Sequence, residues 1–210
     1  MGRPSWRGAW IEAAFISGRG NLPYRAGPAP PSSTDTAAGD FNPLPRLPIT
    51  FPREEGQLPL VYNHKPTGRG DDYLDLTGKP LFPFGHGMSY TAFAYEGLAI
   101  DPPSIAAGES AKIRFRVRNA GARDGDEVVQ LYVRDVLASV ARPVLELEAF
   151  RRISLRAGEE RDVEFTLGPA ELEMLDAHLK RVVEPGEFKV MIGASSADIR
   201  LGGTLIVRPR

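Results

Sequence analysis

Lys79-Pro80-Leu81-Phe82-Pro83-Phe84-Gly85-His86-Gly87-Met88-Ser89-Tyr90 separates two textures of chain. Its prolines fix φ, its glycines permit φ > 0, and its aromatics, Phe82, Phe84 and Tyr90, call for burial. Together they describe a rigid, irregular seam between two bodies, with His86 packed between glycines. A flexible tether would be Gly/Ser-rich and free of aromatics. The seam is therefore expected to weld an upstream body to a downstream β-domain, through Phe82, Phe84, His86 and Tyr90.

Downstream, apolar and polar residues alternate. Leu98 and Ile100 mark a first strand, and Ile113, Phe115 and Val117, interleaved with Lys112, Arg114, Arg116 and Arg118, show the period of two of a half-buried second strand. Val129, Leu131 and Val133 make a third strand. Leu145, Leu147, Ile153 and Leu155 make a bent or bulged fourth, and Val163, Phe165 and Leu167 a fifth. Pro169 to Leu175 reads as a short helical turn with Pro at its start. Arg181-Val182-Val183, a Pro185-Gly186 turn and Phe188-Val190-Ile192 read as a hairpin, and Ile199, Leu201, Leu205 and Val207 as the last strand. Roughly seven short strands without long helices between them specify an all-β, immunoglobulin-like sandwich.

Upstream the pattern is poorer. Residues 1–38 hold Trp6, Trp10, Phe15 and Ile16 in weakly helical spacing and then a proline cluster, a composition expected to stay disordered. From Gly39 to Arg53, prolines sit between single apolar residues, so the segment is an extended arm with Leu47, Ile49 and Phe51 on one side. Tyr62-Asn63-His64-Lys65-Pro66-Thr67-Gly68-Arg69 follows as a polar loop with an aromatic anchor.

Composition excludes several classes of function. The 210 residues are 42% hydrophobic and 25% charged, with a net charge of -1, which gives no electrostatic reason to expect nucleic acid or an anionic membrane as partner. The chain has no cysteine, so thiolate chemistry and disulfides are ruled out. No apolar run reaches the ~18 residues of a membrane span. Trp10 to Ile16 is short, contains Glu12 and is followed by Arg19 and Arg25, so it does not read as a signal peptide and the compartment stays open. His64, His86 and His178 have no ligand spacing, so neither metal nor cofactor is expected.

Five separated stretches together resemble the C-terminal third of glycoside hydrolase family 3, the β-glucosidases and β-xylosidases. They are Gly39-Asp40-Phe41-Asn42-Pro43 with Arg46 to Pro52, Tyr62 to Arg69, Phe82 to Thr91, Gly125-Asp126-Glu127-Val128-Val129-Gln130-Leu131-Tyr132, and Glu184-Pro185-Gly186-Glu187-Phe188. The family usually has Gly near Pro45, between the Asn-Pro and the Arg/Lys-Leu-Pro, and residues 1–38 match nothing upstream in it. In that family a β/α barrel supplies a nucleophilic Asp, an α/β sandwich supplies the acid/base Glu, and a fibronectin type III-like domain closes the chain. The resemblance implies that residues 39–92 are the tail of the α/β sandwich with the linking seam, and 93–210 the fibronectin type III-like domain. The upstream catalytic domains of a parent enzyme would then be its partners, and β-linked glycosides the substrates of the intact enzyme.

Neither catalytic motif of that family occurs here, so no residue is assigned a catalytic role and the chain alone is expected to be inactive. The acidic pairs Glu54-Glu55, Asp71-Asp72, Asp124/Asp126 and Glu159-Glu160 sit in expected loops, where solvation explains them. Gly193-Ala194-Ser195-Ser196-Ala197 lacks the second glycine of a nucleophile elbow. Arg69-Gly70-Asp71 precedes the sandwich instead of tipping a hairpin in it. His64, Lys65 and Arg69 are candidate sugar contacts in an intact enzyme, with ion pairing at the seam as the competing reading. A non-catalytic module that binds carbohydrate or a protein surface is the alternative function. Without an upstream body, Phe82, Phe84, Tyr90, Leu47 and Phe51 are expected to face water in part and promote self-association.

Overall fold

The computed structural model describes residues 46–67, 72, 75 and 77–209; the expected disordered segment 1–38, the arm's start 39–45 and Arg69 lie outside them. The strands are β1 (Phe93–Asp101), β2 (Ser104–Ala106), β3 (Ala111–Asn119), β4 (Gly125–Asp135), β5 (Glu146–Leu155) and β6 (Glu160–Leu167). A helical turn α1 (Pro169–Leu172) leads to β7 (Met174–Leu175), β8 (Arg181–Val182), β9 (Gly186–Gly193) and β10 (Ile199–Arg208). β1, β3 and β6 form one sheet in the order β1-β3-β6, and the second runs β2-β10-β9-β4-β5. Ile113, Phe115 and Val117 of β3, Val163 and Phe165 of β6, Leu131 and Val133 of β4, and Val190 and Ile192 of β9 meet between the sheets in one core. This is the sandwich that the alternation predicts. No helix among the described residues is long and apolar enough to cross a membrane.

Three details differ from the sequence reading. Met174-Leu175 is not helical: α1 ends at Leu172, and Met174-Leu175 pairs with Arg181-Val182. Arg181-Val182 therefore makes its hairpin with the preceding strand, and β9 pairs instead with β10 and β4. The third is β2, three residues too short to show a period, held by its parallel pairing with β10.

The expected irregularity in the fourth strand is a bulge. Leu131 lies opposite Ala149 and Tyr132 opposite Leu147, so Glu148 is the extra residue. Leu147 and Ile153 are six residues apart and would share a face in a regular strand. The bulge sends Leu147 to the outer face of the sheet, against Phe84 and Tyr132, while Ile153 stays in the core.

The outer face of the three-stranded sheet is a ladder of ion pairs. Arg114 lies opposite Glu164, Arg116 opposite Asp162 and Arg118 opposite Glu160. Arg114 Nε donates to Glu164 at 2.6 Å and Arg116 Nε to Asp162 at 2.9 Å. Hydrogen bonds from Arg114 and Lys112 hold the Glu164 carboxyl below the usual carboxylate range. These side chains are solvated, so the ladder adds little to stability while keeping the face polar. Leu131 is fully buried between the sheets. In urea denaturation Leu131→Ala should lower stability by about 2–5 kcal/mol, while Arg116→Ala leaves the midpoint almost unchanged; equal losses would show that the ladder, not the core, carries the fold.

Candidate functional site

Residues 46–51 and 81–86 run antiparallel as a broken ribbon. Leu47 N donates to His86 O at 2.8 Å, Gly85 N to Leu47 O at 2.8 Å, Phe51 N to Phe82 O at 2.9 Å and Leu81 N to Phe51 O at 2.8 Å. Pro48, Pro52 and Pro83 lack an N–H, which explains why the pairing stays interrupted. The ribbon lies on the outer face of the five-stranded sheet, where β4 is buried on both sides from Glu127 to Val133.

Gln130 of β4 keys the ribbon to the sheet. It is completely buried. Its Nε2 donates to Ala194 O at 2.7 Å and to Gly85 O at 3.3 Å, and its Oε1 accepts from Tyr132 Oη at 2.5 Å. Gly85 has φ +78, and a Cβ there would run into the Gln130 amide. Only glycine satisfies both the left-handed backbone and the close approach. Ser196 N donates to Phe84 O at 2.9 Å, tying the ribbon to the turn after β9 as well.

Phe84 is 8% exposed and packs with Tyr132 and Leu147, with Tyr62, Leu145, Phe150 and Met191 around them. The Tyr62 ring stacks on Phe84 at 4.2 Å between centroids. Leu147 N donates to Tyr62 Oη at 3.3 Å. The expectation that Phe84 faces an upstream body is corrected: its ring is part of this molecule's second core. Leu47, also expected to face water, is half-buried because it pairs along the ribbon.

Phe82 is different. Its ring is 41% exposed, stacks on the half-buried His86 at 5.2 Å and meets the edge of Phe51 at 6.4 Å. Tyr90 is 48% exposed and Met88 74%, and Ile49, Phe51 and Leu81 are also exposed. The ribbon is thus keyed to β4 through Phe84 and Gly85, while Ile49, Phe51, Leu81 and Phe82 in it, and Met88 and Tyr90 just beyond it, are exposed.

At the start of the ribbon, Arg46 pairs with Glu127, their side chains 8% and 3% exposed, and Arg46 Nη1 donates to Ala194 O at 3.3 Å. Burial pushes the Glu127 carboxyl above its ordinary value, and the Arg46 guanidinium and the Val128 N–H pull it back only in part. Beside them Arg200 lies over the Tyr95 ring at 4.7 Å and donates to Asp198.

His64 accepts from Val144 N at 2.9 Å through its carbonyl, and its Nδ1 lies 2.9 Å from Lys65 O. Lys65 is exposed, and Arg69 is outside the described residues. Of the acids expected in loops, Asp126 stands instead in β4 and Glu160 in β6, and several have structural partners. Asp72 accepts from Thr77 and Gly78, Asp124 from Ala157 N, Asp126 pairs with Arg152, and Glu159 caps Arg156 N. Among the described residues no three His, Asp or Glu side chains gather in a way that could hold a metal ion. The sequence reading missed Gln130, whose one signal is an amide inside the apolar run Val128-Val129-Gln130-Leu131-Tyr132, and the partnership of Arg46 with Glu127.

A family model described as a fibronectin type III-like domain matches residues 127–196. The β-xylosidase of Formosa agariphila is 47% identical over 161 residues, covering 75% of this chain and 22% of that protein. The β-glucosidase of Listeria innocua solved with glucose superposes with a TM-score of 0.80 at 35% identity, covering 84% of this chain and 26% of that one. A GH3 β-glucosidase of Bifidobacterium adolescentis superposes with a TM-score of 0.69 at 30% identity, over 83% of this chain and 27% of that one. The chain belongs to glycoside hydrolase family 3. It spans about a quarter of the length of these relatives and matches their C-terminal region, fibronectin type III-like domain included.

Two substitutions separate the anchored ring of the ribbon from an exposed one. Phe84→Ala should cost about 3–5 kcal/mol in urea denaturation, and Phe82→Ala well under that; the reverse order would place Phe82 in the core and Phe84 outside it. Arg46→Ala leaves a buried carboxylate without its partner, a change that typically costs about 3–5 kcal/mol. Because burial raises the folded-state pKa of Glu127, its protonated form is the better accommodated one, so the loss is full at neutral pH and shrinks as pH falls towards 4. A deficit that stays constant from pH 7 to pH 4 would exclude this account.

Proposed function

We propose that this chain is the non-catalytic, C-terminal structural part of a β-glycosidase of the β-glucoside type, and that the exposed apolar groups of its ribbon pack against the catalytic part of the larger enzyme. The observation that carries this reading is the contrast within the ribbon. Gln130 and Phe84 fix it to the sheet, while Phe51 and Phe82 meet edge to face in the open and Ile49, Leu81, Met88 and Tyr90 are exposed nearby in the chain. Half-exposed apolar side chains of this size together offer on the order of 500 Å², a large share of the ~800 Å² per partner in a standard interface. The relatives, about four times longer, support a larger assembly as the occupant. On this reading residues 39–92 are the end of an α/β domain together with its seam, residues 93–210 are the sandwich, and His64, Lys65 and Arg69 border the joint.

Retention in a glycosidase needs two carboxyl groups ~5–5.5 Å apart across a sugar cleft. The acids that the sequence singles out and the structure describes are taken up instead by arginines, backbone N–H groups and solvent. In the 210-residue chain by itself a second copy covers the exposed apolar groups, so the chain self-associates. The test has two arms. Purified chain should leave aryl β-glucosides uncleaved from pH 4 to pH 8, and sedimentation should show an association that Phe82→Ser weakens while the circular dichroism of the sandwich persists. Turnover abolished by replacing an acid of this chain, or a monomer that binds no hydrophobic dye, would overturn the proposal.

A further inference from the structure

We infer that residues 136–144 form a strap held shut by a cluster of three carboxylates around one buried arginine, and that the strap closes more firmly when the cluster takes up a proton. The strap leaves the end of β4 and is fastened along its length. Val136 N donates to Glu187 O of β9 at 3.0 Å, and Val144 N donates to His64 O at 2.9 Å in the polar loop. Ser139 donates to Glu184, between β8 and β9, from its N at 2.8 Å and again from its hydroxyl. Arg142 reaches inward with its side chain 9% exposed. Its Nη1 donates to Leu172 O of α1 at 3.3 Å and its Nη2 to Glu146 of β5 at 2.5 Å.

Asp135, the last residue of β4, carries the linkage. Its side chain is 2% exposed, and its Oδ1 accepts from Leu137 N at 3.2 Å. Its Oδ2 accepts no hydrogen bond from a described residue, because Arg142 Nη1, 3.7 Å away, is already engaged with Leu172 O. The charges that act on Asp135 are Arg142 of the strap, Glu184 from the link before β9 and Glu146 of β5, so three carboxylates against one guanidinium leave two negative charges in excess. A buried carboxylate oxygen without a donor is costly, and a proton on it cancels one of those charges. Burial accordingly pushes the Asp135 carboxyl above its ordinary value and the two glutamates add to this, while Arg142 and the Leu137 N–H pull it back only in part. Opening the strap lets water reach the carboxyl, which then returns to ordinary acidity. The closed form therefore binds more protons than the open one, so closure gains as pH falls from neutral and gains nothing further below the ordinary carboxylate range.

The experiment is amide hydrogen exchange of the 210-residue chain, read by mass spectrometry on fragments spanning 136–144 and on fragments of β3, at about pH 7.5 and pH 5.0 and corrected for the intrinsic pH dependence of exchange. The Leu137 and Ser139 amides, bonded to Asp135 and Glu184, report on the strap. In wild type their protection should rise about tenfold from the higher pH to the lower, as for a single carboxyl proton, while β3 changes far less. Asp135→Asn, which keeps the shape of the protonated acid, should give one protection at both pH values. Arg142→Gln should lower protection of the strap at the higher pH and leave the circular dichroism of the sandwich unchanged. Equal wild-type protection at both pH values, or a rise that persists in Asp135→Asn, overturns the proton linkage, and the wild-type comparison decides without any variant having to fold. A strap that exchanges as freely as an unstructured peptide at both pH values, or whose protection Arg142→Gln leaves untouched, overturns the strap itself.

Discussion

The fully buried side-chain amide of Gln130 is the constraint on which the arrangement of layers depends. Left unpaired, a buried amide costs more than an ordinary hydrogen bond contributes. Gln130 meets that requirement from three sides, with carbonyls from the ribbon and from the end of β9 and with the Tyr132 hydroxyl of its own strand. Each partner fixes a different element: the ribbon at Gly85, the β9 turn at Ala194, and the aromatic cluster through Tyr132. Removing the ribbon would therefore expose more than an apolar patch, since it would also take away one of the amide's acceptors.

A sandwich that buries both faces of an inner strand, β4, is not bounded by its own two sheets. The matched family model begins at residue 127 and ends at 196, yet Phe84 and Tyr62, well before it, complete the cluster around Tyr132 and Leu147. The ribbon is covalently upstream of the sandwich and physically part of it.

The sandwich was legible in the sequence because its core strands obey a period of two; an irregular fourth strand was expected too, but Leu147 and Ile153 have the spacing of one face, and only the pairing with β4 places the extra residue at Glu148. The partners of Met174-Leu175 and Arg181-Val182 were not legible, because two-residue strands are too short to show a period and take their structure from pairing. Phe84 was misplaced for a related reason. Aromatic content in the seam signals burial, but which ring turns inward is decided by long-range contacts with Tyr132 and Leu147, which no local pattern encodes. The polar key was hidden in plain sight, since a glutamine in a buried strand looks like a flaw in the alternation until its acceptors are seen. The candidate sugar contacts came from a polar loop alone, and the structure uses its described part chiefly for backbone anchoring at Val144 and Leu147.

The ion-pair ladder has a consequence for how copies of the molecule meet. All its cations stand on the central strand, β3, whereas both edges of that sheet, β1 and β6, carry carboxylates outward: Glu96 and Asp101 on one, Glu160, Asp162 and Glu164 on the other. Two molecules approaching edge to edge would bring acid against acid before any backbone pairing could form. The arrangement that neutralises the sheet within one molecule lines both of its rims with carboxylates, which disfavours edge-to-edge pairing of this sheet between molecules.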